Sequence, residues 1–384
     1  MSDRHIPALD GIRGFAVLFV IAFHCRTILP GNGPAYLLIR ALDLGWLGVD
    51  LFFVLSGFLI TGVLLDTRGS AAYFRMFYAR RALRIFPLYL AYLFLILIVV
   101  RFAYVWIFGS DGWRATESWW YLTYLENWQM DHGMGDKYLG HLWSLAIEEQ
   151  FYLIWPAVVW TFSSRRLAWG CLLLAVLAPV CRSIVGMQAE AAYRLTPCRI
   201  DALALGALVA IGVREYREAF SRWVGYVFAA TFMGFLIVVS RLHFNFWNDV
   251  KMSVTGASLV DMTCACVVFY AATLRQGSLH RVLTIPLLRS FGKYSYAMYV
   301  THAIIVELLQ PVFVGLIGRG GGLLFWFCLY FSATVAITLG VAWLSWQMIE
   351  QPFLRLKRFF PYRARLQFAG ASQANSEACS LPSL

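Results

Sequence analysis

Gly11-Ile-Arg13-Gly-Phe-Ala-Val-Leu-Phe-Val-Ile-Ala-Phe-His24-Cys25-Arg26 is the stretch on which the reading of this chain turns. Phe15–Phe23 is an unbroken apolar run, with Arg13 before it and His24 directly after it. Eleven helical steps at about 100° return to nearly the same face and rise about 16 Å. With Arg13 near one membrane surface, His24 therefore lies near mid-bilayer. No small-x-small cleavage site follows the run, as a secretory signal would require. The stretch reads as an uncleaved first span with an ionisable side chain at depth, by default a functional position.

The rest of the chain supports a membrane reading. It has 384 residues, 60% of them hydrophobic, 17% aromatic and 14% charged, with a mean hydropathy of +0.65. An ordinary soluble domain is roughly 45–50% apolar and about 25% charged, so the surplus apolar surface must face lipid. A span needs about 20 mostly apolar residues. Apolar runs between charge and turn clusters place spans near 12–29, 44–65, 86–108, 142–162, 168–186, 202–213, 223–240, 255–274, 291–316 and 323–347. The sixth run, about a dozen residues, is short for a crossing and reads as tilted, re-entrant or packed inside protein.

Charge fixes an orientation. With the N-terminus cytoplasmic, about 21 of the 32 basic residues fall inside, and net charge divides into about +14 inside and −3 elsewhere. That bias holds beyond the sixth run. The expected fold class is all-α: a polytopic bundle of about ten helices with both termini cytoplasmic. The membrane domain is expected over 1–350, followed over 351–384 by a tail that is basic and then disordered. The outer loop 109–140 is rich in Trp, Tyr and acidic residues, suiting an interfacial belt or a sugar-binding face. The cysteines form no CxxC pair and no zinc spacing. Gly-rich nucleotide fingerprints and paired broken-helix repeats are absent.

Three further constellations carry chemistry. Arg80, Arg81 and Arg84 precede Pro87 at the inner end of the third span, their guanidinia projecting from one side at i, i+3 and i, i+4. They read either as topogenic charge or as bidentate donors for a phosphate-bearing ligand. His141, Ser144 and Glu148 share a face at the head of the fourth span. Glu148 and Glu149 lie roughly 10 Å below its outer end, where carboxylates need cation partners or a wet cavity. Asp50 and Ser56 lie in the second span. Ser56 lacks a nucleophile elbow and reads as a packing or hydrogen-bonding residue. Arg199 and Asp201 enter the sixth run, suited to pairing with each other or with the glutamates. His302, with Tyr294 and Tyr299, puts a second imidazole in the membrane.

In order and spacing these blocks resemble the acyltransferase 3 family of polytopic bacterial O-acyltransferases. The blocks are Ala8-Leu-Asp10-Gly-Ile-Arg13-Gly through His24, Val49-Asp50-Leu-Phe-Phe-Val-Leu-Ser56-Gly and Arg81-x-x-Arg84. Then come Trp143-Ser-Leu-Ala-Ile-Glu148-Glu-Gln-Phe-Tyr, Arg199-Ile-Asp201-Ala-Leu, Tyr294-Ser-Tyr through His302, and Glu350-Gln-Pro-Phe. The resemblance implies His24 as the catalytic residue, with Glu148 at the site. It implies Arg81 and Arg84, with Arg13 and Arg80 alongside, as the acyl-CoA donor site. The acyl group would be acetyl and the acceptor a hydroxyl of a surface or secreted glycan. The setting would be the bacterial inner membrane, with no metal and no nucleic-acid partner. Some relatives carry a further soluble domain, for which this tail is too short. A transporter or flippase with a His/Glu proton relay and no covalent chemistry is the alternative.

Overall fold

The computed structural model describes residues 6–29, 36–109, 118–129, 136–186, 189–242, 251–318 and 322–361. The tail beyond 361 and residues 110–117 and 130–135 of the aromatic loop lie outside them. Every regular element among the described residues is helical. Ten long helices carry the architecture. The first five are α1 (Pro7–Cys25), α2 (Leu47–Thr67), α3 (Tyr73–Phe94), α4 (Trp143–Thr161) and α5 (Ser164–Val185). The others are α6 (Thr196–Glu215), α7 (Arg217–Leu242), α8 (Ala257–Thr273), α9 (Pro286–Gly318) and α10 (Leu323–Ser345).

Among the described residues, nine helical segments are long and apolar enough to cross a bilayer. They include every long helix except α4, whose Glu148-Glu149-Gln150 run interrupts its apolar character. The sixth span is longer than its apolar run: α6 is a 20-residue helix. Arg199 and Asp201 shorten the run in sequence, yet both are buried inside α6, held by ion pairs with neighbouring helices. The third span also begins earlier than its apolar run. Tyr73, Met76 and Phe77 bury one face of the preceding turns, so Arg81 and Arg84 lie within α3 rather than at its start. α10 continues through a π-helical turn at Trp346–Glu350 and a short helix at Gln351–Arg355.

Contacts between segments gather at two opposite ends of the bundle. At one end Arg214 pairs with Asp66 at 2.9 Å, Arg68 donates to the Trp160 carbonyl at 3.1 Å, and Arg80 donates to the Phe360 carbonyl at 2.9 Å. At the other, Arg26 pairs with Asp43 at 2.6 Å and Arg194 donates to the Gly140 carbonyl at 3.0 Å. We call these the arginine end and the histidine end.

Two helix pairs form the centre, α2 with α6 and α1 with α9. Both rely on small residues, which let helix backbones approach where lipid supplies no hydrophobic drive. A Cβ on Gly57 would collide with the Leu203 carbonyl, and one on Gly206 with the Val54 carbonyl. Gly14 and Gly292 meet the Leu288 and Asp10 carbonyls in the same way. This tight centre brings the ionisable side chains of α1, α2, α6 and α9 to within reach of one another.

Candidate active site

The residues singled out in the sequence separate into three groups. The first lines a cavity of about 90 Å³ toward the arginine end, walled by Arg13, Ser56, Arg81, Arg84, Ser144, Glu148, Tyr152, Tyr296 and Tyr299 among others. Arg13 comes from α1, Ser56 from α2, Arg81 and Arg84 from α3, and Glu148 from α4. Glu148 is fully engaged by hydroxyls: Ser56 Oγ donates to Oε1 at 2.8 Å and Tyr152 donates to Oε2 at 2.9 Å. Ser56 Oγ is thus engaged with this carboxylate, in keeping with a hydrogen-bonding reading of the residue. Among the described residues, none of Arg13, Arg81 and Arg84 forms a salt bridge. Arg81 instead lies 5.8 Å from the ring centroids of Phe77 and Tyr152. Glu148 is the one carboxylate in this lining, against three guanidinia, while Asp10 acts on Arg13, Glu149 on Arg81 and Glu350 on Arg84 from outside it. The cationic excess on the wall is one that an anionic ligand stabilises.

The second group lines a separate cavity of about 250 Å³ toward the histidine end, with His24, His141, Trp46, Trp143, Lys137, Tyr193 and Arg194 in its wall. Val49 and Tyr299 belong to both linings and form the partition. Tyr299 is held there by hydrogen bonds, 2.5 Å to Ser144 Oγ and 2.9 Å to the His141 carbonyl. Behind the partition His302 sits between His24 and His141, its ring centroid 4.8 Å from each. Arg13 and His24 thus share one helix but open into different chambers, with Glu148 in the chamber of Arg13.

The third group is a buried ion cluster. Arg199 pairs with Asp50, and Arg182 holds Asp201 by two hydrogen bonds at 3.2 and 2.7 Å. Arg182, Arg199, Asp50, Asp201 and Asp261 are each at most 1% exposed. Arg199 and Asp201 pair neither with each other nor with the glutamates. Each binds another helix, so the cluster ties α2, α5 and α6 together. Two members, Arg182 and Asp261, escaped the sequence reading, although a lone charge inside an apolar run is itself the signal.

Two predicted site residues stand apart. Arg80 lines neither cavity and donates to the Phe360 carbonyl at 2.9 Å. Glu149 lines neither cavity as well. Its neighbour Gln150 donates to Asn127 Oδ1 at 2.8 Å, and Asn127 donates to Thr196 Oγ1 at 2.8 Å. This network fixes the turn Glu126–Trp128 against α4 and α6. Burial pushes the Glu126 carboxyl in that turn up to about 8.

A polytopic helical membrane protein with a cationic and an imidazole cavity separated by Tyr299 and Val49 is the class that fold and site define. The family profile described as an acyltransferase domain matches residues 6–346. The chain belongs to the acyltransferase 3 family, as its motifs suggested. It is 31% identical over 389 residues to a candidate peptidoglycan O-acetyltransferase, YrhL of Bacillus subtilis (strain 168), covering 94% of this chain and 57% of that relative. It is 28% identical over 336 residues to the O-acetyltransferase OatA of Staphylococcus aureus (strain NCTC 8325 / PS 47), covering 82% and 52%. The peptidoglycan O-acetyltransferase OatA of Listeria monocytogenes is also 28% identical, over 337 residues, covering 81% and 51%. The chain therefore spans about half the length of these relatives. No solved structure matches.

Proposed function

We propose that this protein is a membrane O-acetyltransferase that moves an acetyl group from acetyl-CoA to a glycan hydroxyl, with peptidoglycan the acceptor class that the relatives' names favour. The observation that carries this reading is the pair of cavities meeting at Tyr299 and Val49, guanidinia on one side and imidazoles on the other. The arginine end faces the cytoplasm of a bacterial inner membrane, in keeping with its concentration of basic residues. Arg13, Arg81 and Arg84 attract the phosphates of the donor. The pantetheine arm extends from there toward Tyr299 and Val49, so that the thioester reaches the partition.

At the partition His24 acts as general base. Its Nδ1 donates to the Val20 carbonyl at 2.8 Å, because a carbonyl can only accept. That leaves the Nε2 lone pair for the acceptor hydroxyl, the role for which imidazole is best matched near neutral pH. The Trp46, Trp143 and Tyr193 faces in the same chamber suit a sugar ring. The test is transfer of radiolabelled acetyl from acetyl-CoA to peptidoglycan fragments by the purified protein in liposomes. Transfer by the wild type and its loss in a stable His24→Ala variant is the expected result. Equal labelling by both, or by neither, overturns the reading.

A further inference from the structure

All three imidazoles behind the partition have spent their only N–H on a backbone carbonyl. His24 Nδ1 donates to Val20 at 2.8 Å, His302 Nδ1 to Tyr299 at 2.6 Å, and His141 Nε2 to Val300 at 3.0 Å. These bonds assign the tautomers, since each acceptor is a carbonyl. The remaining nitrogen of each ring can only accept a hydrogen bond. Among the described residues, His302 Nε2 and His141 Nδ1 are buried and find no donor. A buried polar atom without a partner costs about 1–3 kcal/mol, so a pair of them next to a third imidazole calls for an explanation. The rings stack edge-on, His302 in the middle, at interplanar angles of 68° to His24 and 71° to His141.

We propose that His24, His302 and His141 form a shared proton-holding site, in which the two further imidazoles accept through His24 the proton that leaves the acceptor hydroxyl. This rests on the transferase reading above. The cluster holds acceptor nitrogens and no donor among them, and the substrate hydroxyl brings one. As the hydroxyl oxygen attacks the thioester carbon, the O–H bond breaks and the O–C bond forms. The C–S bond then breaks, and the thiolate leaves with its electron pair. The proton rests on His24, stabilised by the His302 lone pair and behind it that of His141, and passes to water through the histidine cavity once the ester is made. His302 and His141 are positioning residues here, acting through His24. Like-charge repulsion at about 5 Å opposes a second proton, so the site holds one, not three.

The charged and titratable groups around the cluster include Cys25 on α1 with Arg26 just past its end, Tyr92 on α3 with its ring 6.1 Å from His141, Tyr299 and Glu307 on α9, and Tyr330 on α10. Asp43, Lys137, Tyr138, Tyr193 and Arg194 approach from the connecting segments. None donates to the two orphaned nitrogens.

The direct test needs no variant that alters the fold. Nitrogen-15 NMR of histidine-labelled wild-type protein should show the three ring signals moving together on acidification, with uptake of one proton between them. Three independent titrations overturn the proposal. In the transfer assay, His302→Gln should lower kcat on the order of tenfold and leave KM for acetyl-CoA unchanged, because the arginine cavity is separate. Imidazole should restore much of the activity of His302→Gly, a rescue that a purely structural role does not predict. Wild-type rates in His302→Gln and His141→Gln, or a loss that imidazole leaves untouched, count against it. A wild type that labels no glycan sinks the transferase reading instead, and leaves the NMR result to decide whether the proton is shared.

Discussion

Two sets of buried arginines share this bundle and are handled in opposite ways. Arg182 and Arg199 meet Asp201 and Asp50 in a closed cluster at the centre. Arg13, Arg81 and Arg84 face a cavity whose one carboxylate, Glu148, already accepts from Ser56 and Tyr152. A guanidinium in a low-dielectric interior is tolerable when its charge is matched on the spot. The first set is matched by the protein and serves the fold. The second presents its charge on a cavity wall, where the proposed donor phosphates would meet it.

The largest expected effect lies beyond both sets. His24→Ala should lower kcat by about a hundredfold to ten-thousandfold, the range of a lost general base, with the thermal stability of the detergent-solubilised protein unchanged. Within the comparison, Arg182→Met should come next and appear as stability: leaving Asp201 unpaired costs about 3–5 kcal/mol, read as a lower unfolding temperature and poor yield. Arg182→Met combined with Asp201→Leu should recover part of that loss. If Arg182→Met leaves stability intact, the division between the sets fails.

Arg81→Met and Arg84→Met should do the reverse, keeping stability and raising KM for acetyl-CoA by about tenfold to a hundredfold, as for a lost charge-assisted bond of about 1.5–3 kcal/mol. The increase should vanish with acetyl-pantetheine, which carries no phosphate. An equal penalty on both donors would show that these arginines do not read phosphate. The smallest effect concerns Glu126. Its folded-state value, raised from 4.5 to about 8, makes its contribution complete below about pH 4.5 and progressively lost as pH rises to about 8. Glu126→Gln should flatten the fall of unfolding temperature across that window.

Much of this was legible because helical periodicity needs no tertiary information. Arg13 with His24, Arg81 with Arg84, and Ser144 with Glu148 each lie on one helix, and spacing alone placed them. His141, expected on the same face as Ser144 and Glu148, precedes α4 in the turn Gly140–Leu142 and opens into the other chamber. Pairings between helices were not legible. Arg199 and Asp201 are two residues apart and suggested a pair with each other or with the glutamates. Two steps along a helix, however, point side chains about 200° apart, so each reaches a different neighbour. Nor could spacing show that the same helix α1 opens Arg13 and His24 into separate chambers, since the partition is made by Tyr299 from α9. Arg182 and Asp261 were passed over inside runs read for their apolarity, which hid the cluster that buries Arg199 and Asp201 and lets α6 extend beyond its apolar run.

The Asp50–Arg199 pair also bears on how the chain is made. Three helices separate α2 from α6, and at 5–20 residues per second the interval is on the order of ten seconds. During that time Asp50 has no guanidinium from α6, and Gly57 has no Gly206 helix to pack against. A nascent α2 carrying an unmatched acid is a poor lodger in lipid, so it must wait at the insertion machinery or beside α1 until its partner is delivered. Biogenesis of this bundle is thus timed by its sixth helix, and a ribosome stalled just before α6 should leave α2 the span most exposed to membrane proteases.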